Sequence, residues 1–413
     1  MIHYEHFQLE NGLNVYVHED HTTPIAVLNL LYGVGSRDED ENKTGFAHLF
    51  EHLMFGGSVN IPIYDEPLQR AGGENNAFTS PDITNYYVTI PSKNLETAFW
   101  LESDRMLSLA FSEESLEVQR KVVIEEFKQR YLNQPYGDVW LKLNPLVYTQ
   151  HPYKWCTIGK DISHIENATM EDVKSFFSKY YVPNNAHLVV AGDVTLVQVK
   201  RLCKKWFAPI AKGAVPPRNL PKEPRQTEAR LLEVEADVPA SVLYKVYPMC
   251  NRTSLQYHPT DLLSDLLGRS KSSRLYTKLV QQQQLFSSVS ASVTGALDDG
   301  LLVVSGRVNK GVDMKVADEA VSEIVEEFRH HLVDEHELQK VKNQAESTLI
   351  FSEMELLNRA MGLAYAAFAG DVDLINQESA RIQAVTPARI QTVAYDVLRA
   401  NNCTTMYYKS KQS

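Results

Sequence analysis

Two distant stretches of this chain repeat one another, and no other feature limits its fold as much. TMEDVKSFFSKYYVPNNAHLVV opens at Thr169 and TPARIQTVAYDVLRANNCTTMYY opens at Thr386. They align without a gap, threonine on threonine and Asn184-Asn185 on Asn401-Asn402, with Ile165 and Ile382 in the same register upstream. Each reads as a threonine-capped amphipathic helix, an Asn-Asn turn and a strand. Two copies of a long period point to duplicated domains and not to a solenoid. Between them, AKGAVPPRNLPKEPRQTEAR (residues 211–230) carries four prolines and little apolar content. Proline sustains neither a helix interior nor a central strand, so the segment reads as an extended linker. At 413 residues the chain also exceeds the usual single-core size. The expected division is a first domain over residues 1–213, a linker over 214–228 and a related second domain over 229–413.

LNVYVHED, IAVLNLLYGV and ITNYYVTI read as strands, by alternation or by β-branched enrichment. NLETAFWLESDRMLSLA and SEESLEVQRKVVIEEFKQRYL carry helical apolar spacing. Strands that come partly in succession favour an α+β arrangement over a doubly wound parallel sheet.

In the first half, GFAHLFEHLMFGG (residues 45–57) sets His48 and His52 one helical turn apart with Glu51 beside the second. Thr44 can cap this helix, its periodic core runs to Phe55, and Gly56-Gly57 is a natural stop. At 3.6 residues per turn the two imidazoles and the carboxylate share one face. That set suits a tetrahedral zinc ion with a base at hand for its water. The bland alternative is a pair of solvated or hydrogen-bonded histidines. Against it, the helix is apolar, and burying Glu51 without a partner would be costly. A hydrolytic site wants a third protein ligand and one open position. Ser112 can cap a helix that opens on Glu113 and Glu114 and reaches Glu125 and Glu126 directly after Val122-Val123-Ile124. Spacing does not choose between those last two acids.

At these residues the chain resembles the inverted-motif zinc peptidases of the pitrilysin/insulinase family. The likeness is to its branch of short two-domain subunits, which includes mitochondrial processing peptidase and bacterial processing-protease-like proteins. The family pattern is H-x-x-E-H followed far along by a glutamate in a segment like E-R-x-V-V-L-E-E. Here that segment is QRKVVIEE, Gln119 to Glu126, which puts the third ligand at Glu126. The likeness continues through GGENNAFTSPDITNYYV (Gly72–Val88), HPYKWCTIGKDI (His151–Ile162) and YVPNNAHLVVAGDV (Tyr181–Val194), and more weakly through KSSRL (Lys271–Leu275). It implies two related α+β domains, each a mostly antiparallel sheet with helices packed on it, forming half of a clam-like chamber. His48, His52 and Glu126 would hold Zn²⁺, and Glu51 would take a proton from the attacking water and pass it to the leaving amine. Asn76, Ala77 and Phe78 would lie on an edge strand that pairs with extended substrate. Taken alone, those three are an ordinary strand end. The function so implied is a zinc-dependent endopeptidase acting on peptides or unfolded segments. The alternatives are a non-catalytic scaffold or assembly subunit of the same family and, less favoured, a structural zinc protein.

Two departures from the family pattern bear on activity. Gln119 stands where an acid is usual, which removes a negative charge near the metal and tunes zinc affinity downward. Fully active single chains also carry an arginine and a tyrosine in the second half. In LVQQQQLFSSV the matching positions are Val280 and Ser287, while Arg274 and Tyr276 are out of register. The expected partner is therefore a sister subunit that supplies the pair in a heterodimer, the alternative being a slow chain that acts alone or as a homodimer.

Bulk properties exclude other classes. A net charge of −11 without a run of lysine and arginine is the wrong footprint for nucleic acid. No apolar run approaches the roughly 20 residues that span a bilayer. The opening MIHYEHFQLENGL lacks the order of a signal peptide, so the expected location is cytoplasmic, or periplasmic if a leader has been removed. Cys156, Cys203, Cys250 and Cys403 are scattered and read as isolated buried thiols. His18 and His21 read as a solvated turn, and His330-His331 as exposed helix surface.

Overall fold

In the computed structural model, which describes residues 1–411, the first of two units is Met1–Tyr131, His151–Pro221 and Phe351–Asn376. Its sheet comprises β1 (Glu5–Gln8), β2 (Asn14–Glu19), β3 (Ile25–Tyr32), β4 (Glu74–Thr79), β5 (Thr84–Pro91) and β6 (Ala186–Gly192), in the order β1-β2-β6-β3-β5-β4. Every neighbouring pair is antiparallel except β2 and β6. The second unit is Leu132–Gln150, Lys222–Ile350 and Gln377–Ser413. It holds β7 (Arg230–Ala236), β8 (Val242–Pro248), β9 (Phe286–Val293), β10 (Leu301–Val308) and β11 (Thr404–Ser410), in the order β7-β11-β8-β10-β9, with only β7 and β11 parallel. Apart from β1, the two sheets have the same wiring.

The repeated segments have the same chemistry in both copies. Thr169 and Thr386 cap the helices Met170–Tyr180 and Pro387–Val397, each accepting from the amide three residues on. The second asparagine of each turn then ties its helix to a strand. Asn185 donates to the carbonyls of Tyr180 and Gly33, and Asn402 donates to those of Val397 and Pro248. A carboxamide, half-buried at Asn185 and buried at Asn402, that satisfies two carbonyls explains why asparagine stands at both places.

The units depart from the expected consecutive stretches 1–213 and 229–413, because each sheet takes a helix from the other half of the sequence. Helices α1 (Phe46–Leu53) and α2 (Glu113–Phe127) belong to unit 1, but α3 (Val139–Val147) packs on β11 in unit 2. Conversely α4 (Leu356–Phe368) packs on β6 and β3 in unit 1. There Ala360, Leu363, Ala364 and Ala367 meet Tyr16, Val27, Leu31, Val189 and Ala191. Small side chains on α4 let it lie close to the sheet, and β3 is nearly continuously apolar because both its faces are covered. The register that carries Thr169 to Thr386 also carries Val139, the first residue of α3, to Leu356, the first of α4. The exchange is reciprocal.

The proline-rich stretch has no helix or strand from Ala211 to Gln226. Its two ends are pinned to different units: Arg218 pairs with Asp38 at 2.7 Å, and Glu223 accepts from Thr149 and Gln150. The division falls between Pro221 and Lys222.

Candidate metal centre

The short helix α1 buries Phe46, Ala47, Leu49, Phe50 and Leu53, which leaves His48, Glu51 and His52 on its other side. Its first turn is fixed from a distance. Glu39, a buried residue, accepts from the amides of Gly45 (2.9 Å) and Ala47 (2.8 Å). The expected cap, Thr44, is engaged elsewhere: its hydroxyl meets His164 Nδ1 and accepts from the Lys160 amide, while Gly45 takes the N-cap position at a φ of 89°. Burial pushes the Glu39 carboxyl up to about 8 against the pull of the Ala47 and Gly45 amides. Glu39→Ala orphans two buried N–H groups at the start of the metal helix. It is expected to cost about 3 kcal/mol of stability, read as a lowered urea midpoint at unchanged slope.

The partner helix α2 is capped by Ser112, which accepts from the Ser115 amide at 3.0 Å. Leu116, Val123 and Phe127 form its buried face. Of the two candidate acids, Glu125 is exposed and pairs with Lys128 at 2.8 Å, whereas Glu126 turns toward α1. Glu126 Oε2 lies 3.2 Å from His48 Nε2 and 3.4 Å from His52 Nε2, and its other oxygen lies 2.9 Å from Arg130 Nη1. Among the described residues, His48, His52 and Glu126 are the group that offers three metal-ligating atoms within 4.8 Å of one another. Zinc bonds of about 2.0–2.2 Å in a tetrahedron separate ligand atoms by roughly 3.3–3.6 Å. The separations of 3.2 and 3.4 Å lie close to that range. Gln119, two turns before Glu126, lies half-buried on α2.

Burial opposes a charged His48, but hydrogen bonds and the charges of Glu126 and Glu51 outweigh it and raise its pKa to about 9. The same His48 bond holds Glu126 down to about 2. His52 is lowered, by burial first and then by the charge on His48. A metal must displace the His48 proton below about pH 9, so zinc affinity is expected to rise with pH up to that value, by about tenfold per unit. Chelator competition at pH 6, 7 and 8 measures it; a flat profile contradicts the ligand assignment.

Glu51 Oε2 accepts from the Thr79 hydroxyl at 2.6 Å and lies 3.6 Å from His48 Nδ1. Burial raises its pKa, but the His48 and Thr79 bonds prevail and the net shift is downward, so it is ionised at neutral pH. Thr79 ends β4, the open edge of the sheet. On that edge Asn76 is exposed, Ala77 half-buried and Phe78 40% exposed, and the Ala77 amide donates to Asn76 Oδ1 at 2.8 Å.

Unit 2 repeats the scaffold without the ligands. In the repeat register His48 and His52 fall on Asp265 and Arg269, which pair with each other at 3.1 Å. Val280 and Tyr276 pack against the core of that unit, the Ser287 hydroxyl donates to the Arg307 carbonyl, and Arg274 is held by Glu337 at 2.8 and 3.1 Å. Elsewhere, His21 is exposed beside Asp193 and His330 beside Glu326, as expected of solvated histidines. His18 departs from that expectation. It is buried, with Nδ1 on the His3 carbonyl and Nε2 facing Arg359, because α4 covers this end of β2. The cysteines are free, and all but the half-buried Cys250 are buried. No described helix is long and apolar enough to cross a membrane.

Residues 14–138 match the profile described as Insulinase (Peptidase family M16), and residues 167–345 match the one described as Peptidase M16 inactive domain. Zinc protease PqqE of Helicobacter pylori is 30% identical over 98% of this chain and 93% of its own length. A Bacillus subtilis protein named uncharacterized zinc protease YmxG is 25% identical over 86% of this chain and 85% of its own. Among solved structures, a protease from Helicobacter pylori superposes with a TM-score of 0.93 at 29% identity, covering 99% of this chain and 100% of that one. Pitrilysin gives a TM-score of 0.79 at 19% identity over 99% of this chain and 45% of that one, a likeness of fold.

Proposed function

The chain belongs to the insulinase family of peptidases (family M16), and on that premise we propose that it is a zinc-dependent endopeptidase subunit that cleaves peptides or unfolded segments. The observation that carries this reading is the convergence of His48, His52 and Glu126, each offering a ligand atom within 4.8 Å of the others, with the ionised Glu51 beside His48. Zinc held by those three side chains would polarise the peptide carbonyl and make water acidic enough to attack at neutral pH. Glu51, whose Oε2 accepts from the Thr79 hydroxyl, would take the water's proton and return it to the leaving amine.

The open edge of β4 supports the choice of substrate. An extended peptide can add to it through backbone hydrogen bonds, replacing the contact that Asn76 makes with the Ala77 amide. Such pairing reads little side-chain identity, so unfolded segments fit and folded proteins do not. Val280 and Ser287, both engaged within their own unit, support dependence on a sister subunit that brings donors of its own.

The test is bound zinc together with hydrolysis of quenched peptides, for the chain alone and mixed with a similar-sized sister chain that carries the arginine and tyrosine. Zinc at one ion per chain and chelator-sensitive cleavage in either arm are expected. Zinc without cleavage in both arms favours the scaffold reading, and unfolding on chelation favours a structural ion.

A further inference from the structure

We infer that Arg130 positions the metal carboxylate and selects peptides with an acidic group beside the cleaved bond; the second part rests on the peptidase reading. Glu126 has two oxygens, and a carboxylate free to rotate can offer either or both to a cation. Here Oε1 is held by Arg130 Nη1 at 2.9 Å, which leaves Oε2 as the oxygen that faces the two imidazoles. One oxygen from the acid is what a tetrahedral site needs, and partners of this kind set the orientation of metal ligands.

Local backbone geometry brings the arginine there. Helix α2 ends at Phe127 and continues into a widened π turn, Lys128–Leu132, a distortion common at functional sites. The two cations of this turn have different partners. Lys128 pairs with the surface acid Glu125, whereas Arg130 pairs with an acid that a metal would also claim. The Arg130 side chain is 69% exposed, so most of its five N–H donors face solvent. Arg130 Nη1 lies 2.9 Å from Glu126 Oε1, so on the peptidase reading a peptide whose cleaved carbonyl reaches the three ligands brings a neighbouring residue close to that guanidinium. One and two turns back along α2, Val122 and Val118 are exposed and apolar. Along this helix the cation lies on one side of Glu126 and an apolar surface on the other, so an acidic side chain or a carboxyl terminus is favoured on the Arg130 side.

The experiment compares the wild type with Arg130→Gln and Arg130→Lys. Zinc affinity is read by chelator competition. Selection is read as binding, without turnover, of three peptides that differ only in having Asp, Asn or Lys next to the cleaved bond, in zinc-loaded protein that also carries Glu51→Gln. Arg130→Gln is expected to weaken zinc by about tenfold and to erase a roughly threefold to tenfold preference for Asp over Lys. Arg130→Lys is expected to keep the preference and lose part of the zinc affinity, because a point charge replaces a fork. Unchanged zinc affinity in Arg130→Gln overturns the positioning role, and an unchanged Asp-to-Lys ratio overturns the selection. Zinc-loaded protein that binds none of the peptides, either alone or mixed with the sister chain, refutes the peptidase reading itself, while the zinc arm still decides the hold on Glu126.

Discussion

Glu51→Gln is expected to leave one zinc bound per chain and to lower the rate of peptide hydrolysis by about a thousandfold. None of the three converging ligand atoms belongs to Glu51. Glutamine keeps the shape of the side chain, and its carbonyl oxygen can still accept from the Thr79 hydroxyl that now meets the carboxylate at 2.6 Å. The variant should therefore fold, load zinc and bind peptide. It loses basicity. In the wild type, the His48 and Thr79 bonds outweigh burial and keep Glu51 ionised, so it has a vacant site for a proton at neutral pH; an amide has none. Glu126→Gln is the contrasting control, because it weakens a ligand and should release the metal. Metal content by atomic absorption and turnover of a quenched peptide, with the sister chain present if the wild type needs it, separate the two. A Glu51→Gln protein with full zinc and full turnover would falsify the general-base role.

How much of this site is legible in the sequence depends on whether local periodicity suffices. His48, Glu51 and His52 are legible because 3.6 residues per turn fixes their common face wherever the helix goes. Choosing Glu126 over Glu125 requires the rotation of α2, which its own residues leave open; the family resemblance supplied that choice, and in the structure Lys128 occupies Glu125. Glu39 was invisible for another reason. SRDEDE offers four acids in a row, and only the path of the loop back to Gly45 singles out one. The expectation for Thr44 failed on the same ground, since a local capping rule does not see His164 and Lys160 arriving from far along the chain. Thr79 and Arg130 are ordinary residues of a strand end and a helix end until Glu51 and Glu126 are placed beside them. The duplication was legible through its Asn-Asn turn because those carboxamides do the same work twice. The helix exchange was not: apolar positions on α3 and α4 say that each covers a sheet, not which one.

That exchange carries the second large expectation: neither half of the chain folds alone, and the two fold together even when unlinked. Residues 1–221 lack α4, so the face of their sheet built from Tyr16, Val27, Leu31, Val189 and Ala191 would lie open to water. At about 2 kcal/mol for each large apolar side chain returned to solvent, losing that contact costs on the order of 10 kcal/mol, counting Leu363 with its sheet partners. This is comparable to the whole stability of a typical domain. Residues 222–413 lack α3 in the same way, and with it Val139, Leu143 and Val147, each 2% exposed or less. Expressed separately, both halves are expected to be insoluble or to lack a cooperative unfolding transition. Expressed together, or cut at a protease site placed between Pro221 and Lys222, they should elute as one particle with zinc affinity close to that of the intact chain. A peptide spanning Phe351–Asn376, added to residues 1–221, should restore part of the transition by supplying the missing helix. If residues 1–221 by themselves unfold cooperatively and bind zinc as the intact protein does, α4 is an accessory and the two units are ordinary consecutive domains. If only the linked chain folds, the linker does more than connect, and the pinning of Arg218 and Glu223 to different units becomes the first contact to remove.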